Sequence, residues 1–110
     1  MKQYVIDQLR TSDYKKIQEF LESNTESSAL EGIYWVNLPP DLYNTMQSEH
    51  SKCHPYYFAI HLDWNSIGFE LLIRSRQVIR CLCIAYATGQ QRDYIMHFAD
   101  RMIDDLKLRL

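Results

Sequence analysis

Apolar positions change period several times along this chain, and each change marks an element. Residues 2 to 9 (KQYVIDQL) gather Tyr4, Val5, Ile6 and Leu9 into a short run bounded by the polar Arg10-Thr11-Ser12-Asp13, which predicts a first strand. Thr11, Ser12 and Asp13 all suit a helix N-cap. Tyr14, Ile17, Phe20 and Leu21 then recur at helical spacing with Lys15, Lys16, Gln18, Glu19 and Glu22 opposite, predicting an amphipathic helix of about three turns. The polar stretch Ser23 to Ser28, whose side chains compete for backbone hydrogen bonds, predicts a mobile loop. Glu31 to Leu38 (EGIYWVNL) predicts a second strand closed by Pro39-Pro40, and Leu42, Met46 and His50 at i, i+4 and i+8 predict a short helix from 40 to 50.

The stretch from His50 to Ala87 holds most of the strand-forming residues, and it predicts a three-stranded antiparallel meander with strands near 56 to 62, 67 to 74 and 78 to 87. A turn at Asp63-Trp64-Asn65-Ser66 sets Leu62 against Ile67, Ile60 against Phe69, Phe58 against Leu71 and Tyr56 against Ile73. A second turn at Ser75 to Val78 sets Ile73 against Arg80, Leu71 against Leu82, Phe69 against Ile84 and Ile67 against Tyr86. Both turns agree on one core face: Tyr56, Phe58, Ile60, Leu62, Ile67, Phe69, Leu71, Ile73, Leu82, Ile84 and Tyr86. Thr88 with Gln91 three residues on is a capping-box pattern. A last helix follows, with Ile95, Phe98, Ala99, Met102, Ile103 and Leu106 on its apolar side. The expected fold is a single α+β domain over 1–110, two-layered, in the order β-α-β-short α-β-β-β-α. Its antiparallel sheet has about five strands, with the helices mainly on one face.

The same register places Tyr57, Ala59, His61, Gly68, Glu70, Leu72, Arg74, Ile79, Cys81, Cys83 and Ala85 on the opposite face. That set is too apolar for a plain solvent face. It falls into rows of Tyr57, Leu72 and Cys81, of Ala59, Glu70 and Cys83, and of His61, Gly68 and Ala85. A cover by another segment or a second subunit is the expectation, because large apolar patches rarely stay bare and two-fold dimers are the commonest oligomers.

Cys81 and Cys83, two apart on a strand, would point the same way with roughly 7 Å between alpha carbons. Adjacent thiolates can share a metal, and a tetrahedral zinc site needs two more nitrogen or sulfur donors, for which His50, Cys53 and His54 are the candidates. Strand spacing leaves Cys53 on the order of 16 Å from Cys81, so only a loop from 48 to 55 folded back over the sheet would bring it in. The preferred reading of these cysteines is therefore as small buried hydrophobes. A thiol nucleophile is disfavoured, since Glu70 beside Cys83 would raise the thiol pKa. Arg74, Arg76 and Arg80 crowd the second turn and read as a solvated hairpin end, in preference to an anion-binding or RNA-contacting tip.

Composition narrows the function classes. The chain of 110 residues has the size of one domain, and 46% apolar with 24% charged residues is ordinary for a globular protein. A net charge of -2 gives no field to attract a polyanion, so general nucleic-acid binding is not expected. No run approaches the ~20 apolar residues of a bilayer span, and Asp7 and Arg10 interrupt any signal-peptide core, so the expectation is a cytoplasmic protein without membrane contact. Three cysteines make no disulfide framework.

At GIYWVNL (32 to 38), EHSKCHPYYFAI (49 to 60) and ELLIRSRQVIRCLCIAYATGQQRDYI (70 to 95) the chain resembles a family of small uncharacterised bacterial α+β proteins. The resemblance covers most of the chain and implies no catalytic or binding residue. The leading expectation is a non-catalytic homodimerisation or partner-binding domain using Tyr57, His61, Glu70, Leu72 and Arg74 on the outer sheet face. One alternative is a structural zinc site from Cys81 and Cys83 with His50 and Cys53. Another is a small-molecule pocket between Glu70, His61 and Tyr57.

Overall fold

A computed structural model describes residues 1–110 as seven strands and three α-helices. In chain order these are β1 (Gln3–Ile6), α1 (Thr11–Asn24), β2 (Glu26–Ser27), β3 (Ile33–Asn37), α2 (Thr45–Glu49), β4 (Tyr56–Asp63), β5 (Ser66–Glu70), β6 (Leu72–Ser75), β7 (Ala85–Tyr86) and α3 (Gly89–Leu106). One-turn 3-10 helices at Pro40–Leu42 and Ser51–Cys53 flank α2. The α+β class and its antiparallel sheet are as the hydrophobic pattern predicts.

The strand β4 is the axis of the sheet. On one edge β3 runs antiparallel to it, from Ile33 opposite His61 to Asn37 opposite Tyr57, and β2 lies beyond β3. On the other edge β4 pairs first with β5, where Ile60 faces Phe69 and Leu62 faces Ile67 as expected, and then with β6, where Tyr56 faces Ser75 and Tyr57 faces Arg74. Between those pairings the chain inserts two extra residues around Leu71, so the expected pairing of Tyr56 with Ile73 is corrected. An insertion of more than one residue is a special form of β-bulge. Because the surplus is even, inward and outward alternation survives it: Ile73 remains fully buried and Arg74 remains outside.

The predicted third strand of the meander is corrected more heavily. Only Ala85 and Tyr86 of the 78 to 87 segment form a strand, and they pair with Ile73 and Leu72 of β6. The edge of β5 that this segment was expected to fill belongs to β1, with Gln3 opposite Glu70 and Ile6 opposite Ile67. The pairings of Leu82 with Leu71, Ile84 with Phe69 and Tyr86 with Ile67 therefore do not form. Leu82 is 85% exposed and Tyr86 is also exposed, so neither belongs to the core. The segment leaves the sheet immediately after β6, where the Ser75 hydroxyl accepts hydrogen bonds from the backbone N–H groups of Gln77 (3.0 Å) and Val78 (3.1 Å) and folds the chain into a turn.

The inner face carries the core. Tyr56, Phe58, Ile60, Ile67, Phe69 and Ile73 are fully buried there against Ile17 and Leu21 of α1 and Ile95, Ala99 and Met102 of α3. The Phe98 ring meets Phe20, Phe58 and Phe69 edge-on at 6.2, 6.0 and 6.5 Å between centroids, joining both helices to the sheet. Each such buried side chain contributes about 1.5–3 kcal/mol by removal from water.

Two N-termini show how local chemistry sets element ends. Helix α1 starts after Arg10, not after Thr11, Ser12 or Asp13. Asp13 sits inside the first turn and accepts from the Arg10 backbone N–H and Nε, both at 3.2 Å. Helix α3 has the predicted capping box, with Gln91 N–H donating to Thr88 Oγ1 (3.2 Å) and Thr88 N–H donating to Gln91 Oε1 (3.0 Å). The expected loop from Ser23 to Ser28 is shorter than predicted, because α1 continues to Asn24 and Glu26–Ser27 then pair with Trp35 and Tyr34.

Candidate metal centre

Two segments from opposite ends of the predicted meander meet at one end of the sheet. The first follows α2, whose N-cap Asn44 accepts from the Gln47 N–H at 2.8 Å. After Glu49 the chain makes a 3-10 turn in which the Cys53 N–H donates to the His50 carbonyl at 2.9 Å, so His50 and Cys53 project to the same side. The second is the segment released from the sheet after β6. A turn closed by the Ile84 N–H donating to the Cys81 carbonyl at 3.0 Å brings Cys81 and Cys83 round together.

The result is a cluster of one imidazole nitrogen and three sulfurs, from His50, Cys53, Cys81 and Cys83, all within 4.8 Å of one another. His50 Nδ1 lies 3.2 Å from the Cys81 sulfur. Donors around a tetrahedral zinc ion stand roughly 3.3–3.8 Å apart, given bonds of about 2.3 Å to sulfur and 2.0–2.1 Å to nitrogen. A contraction of about 1 Å or less converts the cluster into that geometry. Cys53 and Cys83 are buried, whereas His50 and Cys81 are half-buried at the mouth.

The backbone behind the donors is held by buried polar side chains. The Ser75 hydroxyl donates to the Cys53 carbonyl at 2.6 Å, and Gln47 Nε2 donates to the Cys83 carbonyl at 3.3 Å. Gln47 is itself gripped by Gln91 Nε2 (2.8 Å), which also donates to the Leu42 carbonyl (2.9 Å). His54 Nε2 and the Tyr56 hydroxyl both donate to the Gln47 carbonyl, at 2.6 and 3.2 Å. Gln47 and Gln91 are almost completely buried, and each accounts for its side-chain hydrogen bonds. Outer groups of this kind orient ligands and tune a metal site.

The thiols are electrostatically unequal. The Cys83 backbone N–H, then its thiol and His50, hold the Cys81 pKa down to about 6. Burial pushes Cys83 up to about 11, against a lowering by the neighbouring Tyr56 hydroxyl. The two thiols are thus drawn in opposite directions, Cys81 toward the thiolate and Cys83 toward the protonated form. A bound divalent ion would displace the remaining thiol protons, as soft-donor metal sites do.

These positions change the predicted geography of the cysteines. Cys81 and Cys83 are not on the outer sheet face beside Leu72 and Glu70; they lie at the edge of the core, to which the buried Cys53 and Cys83 belong. The loop from 48 to 55 does fold back, which removes the distance objection to Cys53. The neighbour effect of Glu70 on Cys83 falls away with the register that suggested it.

The outer face itself keeps Tyr57, His61, Glu70, Leu72 and Arg74. Glu70 is 5% exposed, and its carboxylate accepts from His61 Nε2 at 2.5 Å and from Arg74 Nε at 3.3 Å. Tyr57 stacks on Trp35 at 4.7 Å. The Arg76 guanidinium lies over both rings while its Nη2 bonds Glu26 at 2.7 Å and its Nη1 bonds Asn37 at 3.1 Å. Leu72 is half-buried opposite Tyr86. The recess beside them, about 80 Å³ and lined by Tyr57, Arg74, Ser75, Val78, Ile79 and Ile84, is far below the roughly 300 Å³ of a typical ligand pocket, and Glu70 and His61 do not line it.

Sequence reasoning missed Gln47, Ser75 and Gln91, whose roles depend on distant carbonyls. It also missed Trp35 and Arg76 as a pair. Only Gln91 carried a signal, through its capping box. Comparison with protein-family models, with curated proteins and with solved structures finds no significant match to this chain. No helix is long and apolar enough to cross a membrane.

Proposed function

We propose that this protein is a zinc-binding domain in which His50, Cys53, Cys81 and Cys83 hold one structural ion. The observation that carries the reading is the convergence of three sulfurs and an imidazole nitrogen within 4.8 Å from two segments far apart in sequence. Three soft thiolates with one imidazole suit zinc better than the hard cations, which prefer oxygen. Four protein donors close the coordination shell, so the ion's contribution is a cross-link between the two segments rather than activation of a water. Gln47 and Ser75 position the donor backbones, and the burial of Cys53 and Cys83 keeps water from their side of the centre.

The test is elemental analysis of protein purified without chelator or metal-affinity resin, paired with thermal unfolding. About one zinc per chain is expected, with a fall in Tm on adding a strong chelator and recovery on adding zinc. Absence of bound zinc in both purified and zinc-titrated reduced protein, with a Tm indifferent to chelator, would overturn the reading.

A second reading concerns the outer face, which no helix covers. We propose that it pairs with a second copy of itself. The specific support is that Arg74 and Arg76 are already matched within the chain by Glu70 and Glu26, while Val5 and Tyr86, opposite Gly68 and Leu72 of that face, stay exposed. A self-complementary two-fold contact suits such a face.

A further inference from the structure

The four donors of the cluster are unequally shielded. Cys53 and Cys83 are buried at 7% and 1% exposure, whereas Cys81 is half-buried at the mouth beside His50. A small solute approaching the centre meets the Cys81 sulfur first. The other two sulfurs stand within 4.8 Å of it, so a sulfur–sulfur bond of about 2.05 Å requires an approach of less than roughly 3 Å. The two segments also have a tether that owes nothing to sulfur or metal, through the Ser75 hydroxyl on the Cys53 carbonyl and Gln47 on the Cys83 carbonyl. Loss of an ion leaves the thiols facing one another.

Of the two buried thiols, Cys53 is the better partner for Cys81. Cys83 is two residues from Cys81 within the turn that the Ile84 N–H closes on the Cys81 carbonyl, and so short a loop strains the geometry a disulfide requires. Cys53 comes from the other segment with its sulfur within 4.8 Å of the others, so a bridge to it is not confined to one short loop.

Resting on the zinc reading above, we propose that the centre is a peroxide-responsive switch in which Cys81 is the sensing sulfur and Cys53 the resolving one. The oxidant class is a hydroperoxide, with hydrogen peroxide the simplest member. The Cys81 thiolate attacks one peroxide oxygen and the O–O bond breaks. Sulfur is oxidised to the sulfenic acid, and the departing hydroxide takes a proton to become water. The Cys53 thiolate then attacks the Cys81 sulfur, the S–O bond breaks, and the hydroxide again leaves as water. Two thiolates, one hydrogen peroxide and two protons give one disulfide and two waters; the two electrons lost by sulfur reduce the peroxide. Only His50 and Cys83 then remain as donors, too few to hold zinc, and the ion is released.

The test uses the full chain loaded with zinc, treated with a modest excess of hydrogen peroxide in the presence of a chromogenic zinc chelator, followed by peptide mass mapping after alkylation. The expected result is release of essentially all the zinc together with a Cys53–Cys81 disulfide, both reversed by dithiothreitol and added zinc. Retention of zinc and of all three free thiols would overturn the switch while leaving the zinc reading intact. Release accompanied only by a Cys81–Cys83 bridge, or only by irreversible over-oxidation, would overturn the assignment of Cys53 and with it the proposal. A reduced chain that binds no zinc at all would overturn the zinc reading first, and the switch with it. Because every arm uses the unaltered sequence, misfolding of a variant cannot imitate any of these results.

Discussion

Ser75 ends β6 and Cys53 ends the 3-10 turn before β4, and one hydroxyl ties them: Ser75 Oγ donates to the Cys53 carbonyl at 2.6 Å while accepting the N–H groups of Gln77 and Val78. That single oxygen both lifts the 76 to 84 segment off the sheet and anchors the turn that presents His50 and Cys53. Ser75→Ala removes one donor, leaving a buried carbonyl and two part-buried N–H groups without this partner. The expected effect is a 10–100-fold loss of zinc affinity, with a stability loss of about 1–3 kcal/mol, measured by competition with a chromogenic chelator and by urea unfolding. Unchanged affinity would remove Ser75 from the support of the site.

Asp13 supplies the pH dependence. Burial alone would raise its pKa, but the hydrogen bonds and charge of Arg10 outweigh that and leave the carboxyl below its ordinary value of 3.8. A carboxyl whose folded pKa is depressed stabilises the fold above its unfolded pKa, and that stabilisation is lost as pH falls below about 3.8 toward the folded value. Asp13→Asn is expected to cost about 1 kcal/mol at pH 7 and progressively less toward pH 2. Denaturant unfolding in chelator, so that metal release does not contribute, reads the difference; a cost that stays constant with pH would assign the effect to packing.

Gly32 has φ of 79°, and a Cβ there would stand 2.8 Å from the Leu62 carbonyl oxygen, which belongs to backbone and cannot swing away. Its own carbonyl accepts the Leu62 N–H at 2.8 Å, so the close approach is part of how the chain enters β3. Gly32→Ala should cost roughly 1–3 kcal/mol in urea unfolding, from strain at a left-handed position plus the steric contact. A loss below about half a kcal/mol would mean that the turn relaxes freely.

If the outer face pairs with a second copy, Leu72→Arg places a charge opposite the exposed Tyr86 and converts dimer to monomer, which native mass spectrometry reads along with zinc content. Wild-type chain that stays monomeric at high micromolar concentration would sink the dimer, and the zinc site would be unaffected.

The sheet's two faces were legible from the pattern of Tyr56 to Ile73, because alternation is a local property: successive side chains on a strand point to opposite sides whatever the partner is. The first turn was legible too, since Asp63 to Ser66 leaves little freedom for the pairing of Leu62 with Ile67. Which segment lies beside β5 was not. Leu82, Ile84 and Tyr86 have the right period for that edge, yet Gln3–Ile6 occupies it, and a competition between distant segments for one row of backbone hydrogen bonds leaves no mark in either segment alone. The even insertion at Leu71 was invisible for a related reason, since it preserves the alternation that would have revealed it.

The metal cluster divides along the same line. Its donor types and the local spacings His50-x-x-Cys53 and Cys81-x-Cys83 are properties of the chain, and they raised zinc before any fold was known. Assigning Cys81 and Cys83 to a strand put them on the wrong face and left Cys53 out of reach. The sequence by itself determined the strand alternation and the capping of α3, and it named Cys81 and Cys83 with His50, Cys53 and His54 as candidate donors. Only the tertiary structure decided which of them meet, because the meeting depends on Ser75, Gln47 and Gln91 satisfying backbone groups that no local pattern connects to them.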